Sequence, residues 1–420
     1  MKNKFDISFA RSLDEKDPLS KYREEFYIPQ HNNVDAIYFT GNSLGAQPKN
    51  YDYYLNQALA DWKLLGVEGH FGGKSSWFDY HKNLTKDVSE LVGAKETEVV
   101  TMNALSVNLH LLLTSFYQPT KKKYKILCEP NLFPSDLYIL RSQVELKGFS
   151  ADEAIVFLPT NDDGVCLEDD IWNTIEANSD ALAMIFIGGV NYYTGQVFDI
   201  KKITTIGHRY DIIVGFDLAH AVGNIYLDLH NWNVDFAAWC SYKYLNSGPG
   251  NVSSVFIHQN QINKKPFRLA GWWGHDSKNR FALQDKFEPI NTAEGWQLSN
   301  APVFGMSIYR SSIKIFNEIG MKNLIAKRIK LITYLDDAIE SFNALSKINL
   351  KIITPGKPEK RGSQLSILIN RDGEKVYKNL KDCGVYVDWR EPDVMRIAPV
   401  PLYNSFEDIA RFYHILFKCI

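Results

Sequence analysis

FAAWCSYKYLNSGPG, residues 236–250, places a lysine directly after an apolar run. The run predicts a buried strand, and the segment from Asn246 to Gly250 is rich in residues that favour a turn. Lys243 therefore lies where a buried strand gives way to a loop. A buried ammonium is costly unless it is paired, neutralised or used, so this position calls for a partner or a chemical role.

Further apolar runs surround this stretch and predict the fold. They are continuous rather than alternating, as expected for strands covered on both faces, and amphipathic segments separate several of them. The runs occupy residues 98–102, 124–130, 154–159, 181–190, 212–219, 236–242 and 253–258, and the clearest helical segments are 106–116, 135–149 and 167–177. This alternation predicts an α/β domain built on a mostly parallel sheet that lies between helices.

The segments before and after this alternation predict other structure. YFTGNSLGAQPK, residues 38–49, predicts a strand, a turn and a helix that starts at Pro48. Beyond residue 305, two amphipathic segments precede short strand-like runs, and Leu331 and Leu335 share a helical face with Ala338 and Phe342. We therefore expect an N-terminal arm (1–45) packing on the small domain, a large domain (46–304) and a small α+β C-terminal domain (305–420).

Composition excludes several classes of protein. The 420 residues are 45% apolar and 23% charged, with a net charge of −2, so no polybasic face for nucleic acid or a membrane surface is indicated. The first residues are too polar for a signal peptide, and no apolar run reaches the roughly 20 residues of a membrane helix. Five scattered cysteines without a CxxC pair predict a cytoplasmic protein without disulfides or a metal site.

Asp217 and Lys243 suggest a chemistry. Asp217 follows the apolar run IIVGF, and Lys243 comes 26 residues later at the end of the next run. Ligands of open α/β sheets bind at such strand ends. Pyridoxal phosphate needs a lysine for a Schiff base and a carboxylate against its pyridinium nitrogen. A structural ion pair between the two strand ends is the alternative interpretation.

Two other strand ends carry polar groups that suit the same cofactor. MNALSVNLH, residues 102–110, predicts a helix start that can bind phosphate, with Ser106 adding a hydroxyl. In FPSD, residues 133–136, Phe133 can stack on a pyridine ring and Asp136 can reach its nitrogen. Taken singly, both segments also fit ordinary helix caps, and His220 also fits a core histidine.

The sequence resembles the kynureninases, which are pyridoxal-phosphate enzymes of fold type I related to class V aminotransferases. The resemblance covers roughly residues 20–415. Its stretches occur in the right order, at residues 38–49, 102–113, 133–136, 192–196, 214–224, 235–246, 271–275 and 394–406.

The resemblance implies an activity. Kynureninases hydrolyse L-kynurenine or L-3-hydroxykynurenine to L-alanine and anthranilate or 3-hydroxyanthranilate. The route runs through a ketimine, addition of water to the γ-carbonyl and cleavage of the Cβ–Cγ bond. The implied context is a cytoplasmic homodimer with a shared active site in tryptophan catabolism and de novo NAD biosynthesis.

The resemblance also implies roles for residues. Lys243 would carry the cofactor and act as the base at the substrate α-carbon, and the adjacent Tyr242 would bind the phosphate and relay protons. Asp217 would pair with the pyridinium, with Asp136 nearby. The other implied cofactor-binding residues are Leu105, Ser106, Phe133, Pro134, Ser135, His220 and, from the partner subunit, Trp272 and Asn300. The implied substrate-binding residues are Ser43, His70, Asn300 and Arg396.

Three details of this assignment depend on single residues. His70 and Asn300 accompany a preference for 3-hydroxykynurenine in the family, so we expect that preference here. Arg396 would clamp the α-carboxylate, although alone it also fits a surface charge. Either Gly188 or Gly189 stands where related chains can have a serine.

Other functions remain open from the residues alone. A cysteine desulfurase of the same fold type needs a nucleophilic cysteine on a mobile loop, for which Cys383 is the loop candidate. A catalytically inactive relative would bind only cofactor or a partner. A purely structural protein would not need polar residues at so many strand ends.

Overall fold

The apolar runs form the strands of one large sheet. The computed structural model describes residues 4–282 and 285–419. In these residues the strands are β1 (Phe26–Tyr27), β2 (Gln30–His31), β3 (Val34–Asp35), β4 (Ile37–Tyr38), β5 (Gln47–Pro48), β6 (Val99–Met102), β7 (Lys125–Cys128), β8 (Ile155–Phe157), β9 (Leu182–Gly188), β10 (Ile213–Asp217), β11 (Phe236–Cys240), β12 (Ser253–Ile257), β13 (Lys351–Ile352), β14 (Leu365–Leu368), β15 (Val385–Tyr386), β16 (Asp388–Arg390) and β17 (Val394–Ile397).

The large sheet has seven strands in the order β6-β12-β11-β10-β9-β7-β8. Strand β12 runs antiparallel to both neighbours, and the other adjacent pairs are parallel. All five residues of β11 and of β12 are buried, as continuous apolar runs predict. The predicted α/β class with a mostly parallel mixed sheet is confirmed.

Helices cover both faces of this sheet and form much of the C-terminal part. In the described residues they are α1 (Ile7–Asp14), α2 (Tyr51–Leu65), α3 (Lys82–Val92), α4 (Leu105–Phe116), α5 (Pro134–Leu146), α6 (Ala151–Ala154), α7 (Glu168–Asn178), α8 (Ile200–Arg209), α9 (Gln259–Asn263), α10 (Val303–Ile319), α11 (Met321–Leu345), α12 (Gly373–Asp382) and α13 (Phe406–Cys419). Two core clusters, one on each face of the sheet, hold it between these helices. No helix in the part of the chain that the structure describes is long and apolar enough to span a membrane.

A second sheet, β13-β14-β17-β16, lies in the C-terminal part. The predicted apolar face of α11 is buried there, with Leu331, Leu335 and Ala338 fully enclosed. Phe5 and Phe39 from the N-terminal segment join the same core cluster, and β4 pairs with β15. The proposed domain boundaries stay a prediction, and the one at residue 304 falls in the first turn of α10.

One local expectation is wrong. Pro48 does not start a helix, because it lies in β5 and pairs with Phe26 of β1, and α2 begins only at Tyr51. Proline is tolerated in such a short two-stranded ribbon because its missing N–H faces no second partner strand. The turn between β4 and β5 carries Asn42 and Ser43 to the carboxyl edge of the large sheet.

Candidate active site

A cavity of about 340 Å³ lies at the carboxyl ends of the parallel strands. Ligands of open α/β sheets bind at this edge because the strand ends and the following loops converge there. The cavity-lining residues that the sequence predicted are Ser43, Leu105, Ser106, Phe133, Ser135, Asp136, Asp217, His220, Tyr242, Lys243 and Arg396. The fold therefore brings together residues from five strand ends that are distant in sequence.

Lys243 lies three residues beyond β11 and is half-buried. Its Nζ is 2.9 Å from Nε2 of His220 and 5.7 Å from the centre of the Phe133 ring. Burial, together with the positive charges of Lys243, Arg396 and Arg390, lowers the pKa of His220 well below its usual value. His220 is therefore neutral and accepts a hydrogen bond from the lysine. This places the nitrogen of Lys243 inside the cavity and against an aromatic ring.

Asp217 ends β10, the strand next to β11, and its Oδ1 accepts a hydrogen bond of 2.7 Å from the N–H of Ala219. Asp136 is buried beside it. Burial, the negative charge of Asp217 and a hydrogen bond with that carboxylate raise the pKa of Asp136 well above its usual value. Asp136 therefore keeps its proton and can donate a hydrogen bond to Asp217. The alternative interpretation, an ion pair between Asp217 and Lys243, is not found among the residues that the structure describes, where Lys243 Nζ contacts His220.

Two helices begin at the cavity. Helix α4 starts at Leu105 and α5 at Pro134, and neither has a side chain that caps its first turn. Their free N–H groups and positive dipole ends favour an anion. The hydroxyls of Ser106 and Ser135 lie 3.0 Å apart between the two helix starts. This corner of the cavity has the chemistry of a phosphate site.

Arg396 on β17 enters from the second sheet. The side chain is 1% exposed, its Nη1 donates 2.8 Å to the carbonyl of Tyr192, and its Nη2 contacts Asp388. Its Nε is buried without a partner. Arg396 is therefore a buried residue of the cavity wall, fixed by Tyr192 and Asp388, and not a surface charge. Its Nε remains available to donate to a carboxylate.

Four predicted residues are not among those lining the cavity. Pro134 only starts α5. His70 donates from Nδ1 to the carbonyl of Val67 and packs on Trp77, and Trp272 is 52% exposed. Asn300 is exposed and lines a separate cavity near Met102 and Pro302. Within one described chain, His70, Trp272 and Asn300 therefore do not complete the site.

The sequence is similar to proteins of one family over nearly its whole length. Residues 324–416 match the model of the kynureninase C-terminal domain. A curated protein named kynureninase from Flavobacterium psychrophilum is 49% identical over 99% of this chain and 98% of its own length. A kynureninase from Nematostella vectensis is 42% identical over 97% of this chain and 92% of its own. The chain belongs to the kynureninase family.

Solved structures agree on the fold. An apo cysteine desulfurase from Thermococcus onnurineus has a TM-score of 0.74 at 18% identity and covers 91% of this chain and 94% of its own. A C-DES mutant with glycine covalently linked to its PLP cofactor has a TM-score of 0.75 at 14% identity, with 91% and 96% covered. At these identities the likeness concerns fold alone. Cys383 directly follows α12, and its Sγ lies 3.6 Å from that of Cys419. Among the described residues that line the cavity there is no cysteine, which a desulfurase would need.

Sequence reasoning missed several residues that line the cavity. Among them are Asn42, Glu129, Tyr192 and Arg390. A signal was present for some of them, because Asn42 adjoins Ser43, and Glu129 directly follows the apolar run of β7. Arg390 lies on β16 and donates to Asp388 at 3.1 Å, a position that only the pairing of β16 with β17 discloses.

Glu98, His230 and His258 form a cluster of possible metal ligands near the start of β6 and the end of β12. Their polar atoms are already used. His230 Nδ1 is 2.9 Å from Glu98, and His258 accepts from the N–H of Asn260 through Nδ1 and faces the His230 carbonyl through Nε2. The arrangement is that of a hydrogen-bonded cluster that joins two strand ends.

Proposed function

We propose that this protein is a kynureninase that hydrolyses L-kynurenine and L-3-hydroxykynurenine to L-alanine and anthranilate or 3-hydroxyanthranilate with pyridoxal phosphate. One observation carries the proposal. Lys243 reaches a cavity that also holds a carboxylate at the adjacent strand end and two uncapped helix starts, in a chain 49% identical to a curated kynureninase.

The residues present fit the cofactor. Lys243 offers the amine for the Schiff base, Asp217 offers a carboxylate for the ring nitrogen, and Phe133 offers an aromatic face. Ser106, Ser135 and the N–H groups of α4 offer donors to the phosphate. Nδ1 of His220 is buried without a partner, which is costly unless a ligand satisfies it.

The reaction breaks a carbon–carbon bond next to a ketone. Bound pyridoxal phosphate supplies an electron sink for the carbanion that this cleavage leaves. Lys243 moves the proton of the substrate α-carbon, and the neutral His220 holds its nitrogen in place. Arg396 binds the substrate α-carboxylate and so orients the α-carbon toward Lys243. Burial, followed by the neighbouring Cys240, raises the pKa of Tyr242, which keeps its hydroxyl protonated and able to donate.

We propose further that the enzyme is a homodimer and that the partner subunit completes the site. Phe71, Phe78, Trp272 and Phe281 form an aromatic surface, with neighbouring ring centres 5.3–6.2 Å apart. Phe71, Trp272 and Phe281 are each more than half exposed, and exposed apolar clusters of this kind mark association sites. Trp272 belongs to this surface, and in the family it reaches the other subunit's site.

Finer points complete the proposal. His70 and Asn300 would contact the ring hydroxyl of 3-hydroxykynurenine from the dimer interface, so that substrate should be preferred. The enzyme would act in the cytoplasm, and a preference for 3-hydroxykynurenine would favour a role in NAD biosynthesis over one in tryptophan breakdown.

A paired steady-state assay tests the proposal. Protein incubated with pyridoxal phosphate receives either substrate, and fluorescence follows the aryl acid. Lys243→Ala should abolish turnover and borohydride trapping of the cofactor, whereas Lys264→Ala, at an exposed lysine, should leave both unchanged. Absence of product from both substrates would contradict the proposal.

Substrate preference has its own test. His70→Trp with Asn300→Thr should shift the ratio of kcat/KM toward kynurenine, because the ring hydroxyl loses its polar partners. An unchanged ratio would contradict the assignment of these two residues.

A further inference from the structure

Glu129 is a buried carboxyl that the roles described above do not use. It follows β7, is 3% exposed and lines the cavity. Its Oε2 is buried and has no hydrogen-bond partner. Burial of an unsatisfied polar atom is costly, so its retention in a cavity built for a polar ligand calls for an explanation.

The position of the Glu129 carboxyl depends on a glycine. Gly188 ends β9 and pairs with Asp217 on β10. A Cβ added to Gly188 would lie 2.8 Å from Oε1 of Glu129, closer than a real side chain comes. The Glu129 carboxyl therefore occupies the space that any side chain at position 188 would take.

The neighbouring Gly189 lies in a different environment. A Cβ on Gly189 would lie 2.6 Å from Leu218 and 2.9 Å from Ala221, inside the packed core. Position 189 thus has no room for a hydroxyl, whereas position 188 faces the cavity. The cavity is therefore open at Gly188, and the carboxyl of Glu129 fills the space beside it.

Burial and a neighbouring charge keep this carboxyl protonated. Burial is the larger cause, and the negative charge of Asp217 the next, of a Glu129 pKa raised to about 8; contacts with Asn191 and the N–H of Gly188 oppose the rise. At neutral pH Glu129 is therefore a neutral donor as well as an acceptor. The titratable groups that face it are Asp217 on β10, Asp136 on α5, Tyr192 after β9, Cys128 on β7 and Cys166 before α7.

We propose that Glu129 is a cofactor-binding residue that offers, beside Asp217, a further polar contact to the ligand of this cavity, and that the absence of a side chain at Gly188 leaves room for its carboxyl. The inference rests on the proposed function, because the ligand it serves is pyridoxal phosphate. It assigns Glu129 and Gly188 as one unit, so substitutions at the two positions should be strongly coupled.

A double-mutant cycle on cofactor affinity tests this unit. The dissociation constant for pyridoxal phosphate is measured by absorbance titration of four variants beside the wild type. Glu129→Ala should weaken binding about tenfold through loss of one hydrogen bond, and Glu129→Gln should bind nearly as the wild type. Gly188→Ser should weaken binding alone but restore it in the Glu129→Ala background.

The outcomes separate the two proposals. Wild-type affinity in Glu129→Ala, or an equal loss from Gly188→Ser in both backgrounds, would overturn the inference and leave the proposed function standing. Failure of the wild-type chain to bind the cofactor would overturn the proposed function and the cofactor role of Glu129 together.

Thermal unfolding of the cofactor-free chain gives a second readout. The folded state keeps the Glu129 proton up to about pH 8, whereas the unfolded chain releases it near its ordinary pKa of about 4.3. Stability is therefore lost as pH rises between these values. Glu129→Gln has no proton to lose, so its Tm advantage over the wild type should grow from pH 5 to pH 8. A constant difference would show that Glu129 is ionised in the fold and would overturn the inference.

Discussion

At the scale of single residues, Tyr242 offers a direct test of proton transfer. Tyr242 lines the cavity next to Lys243, and its raised pKa keeps the hydroxyl a donor throughout the neutral range. Tyr242→Phe should lower kcat roughly 10²- to 10⁴-fold, the usual contribution of a positioned acid or base.

The same variant should still bind the cofactor, weakened at most roughly 10- to 100-fold by the loss of one phosphate donor, because Ser106, Ser135 and the N–H groups of α4 remain. Tyr138→Phe, which changes an exposed tyrosine on α5, serves as the control. Single-turnover kinetics and cofactor titration measure the two effects separately. A Tyr242→Phe enzyme with full kcat would exclude the proton-relay role.

Residues at strand ends were predictable from the sequence, and others were not. Asp217 and Lys243 follow apolar runs directly, and parallel strands bring such positions to one edge. Asp136 follows the same logic through the first turn of α5. Arg390 could not be found this way, because its place in the cavity depends on pairing between β16 and β17 within the second sheet. Glu129 directly follows an apolar run, as a residue at a strand end does, but a charged residue there also fits an ordinary loop.

At the scale of elements, the start of α4 should decide phosphate affinity. Ser106→Ala removes one hydroxyl donor at a helix terminus whose dipole already favours an anion. Loss of a hydrogen bond to a charged group should weaken cofactor binding roughly 10- to 100-fold.

Thr114→Ala is the matched control on the same helix, because that hydroxyl only bonds the carbonyl of His110. Binding by titration and Tm of the cofactor-free chain are measured for both. Equal cofactor affinity in the two variants would place the phosphate elsewhere.

The apolar runs predicted the seven strands well because continuous burial on both faces leaves a clear pattern. The segment after β4 was harder, since proline favours both helix starts and irregular strands. Pairing of β5 with β1 decided that case, and such a contact between distant segments leaves no local pattern. Strands of two residues are too short to show an alternating pattern in the sequence.

At the scale of the whole molecule, the exposed aromatic surface should hold two chains together. Phe281→Asp introduces a charge into the centre of the surface formed by Phe71, Phe78, Trp272 and Phe281. Because burying an unpaired carboxylate is costly, the variant should sediment as a monomer at concentrations where the wild type is a dimer. Leu146→Asp, at an exposed apolar residue on α5, should not change the mass.

The shared active site can be tested by mixing two inactive variants. Lys243→Ala lacks the cofactor lysine, and Trp272→Ala lacks the side chain that the partner is proposed to need. In a mixed dimer one site receives an intact Lys243 from one chain and an intact Trp272 from the other, while the second site lacks both. Random exchange makes half of the dimers mixed, each with one working site, so about a quarter of wild-type activity should return. If each chain built its site alone, no mixture of the two variants could exceed the activity of its components, so recovered turnover would locate Trp272 across the interface.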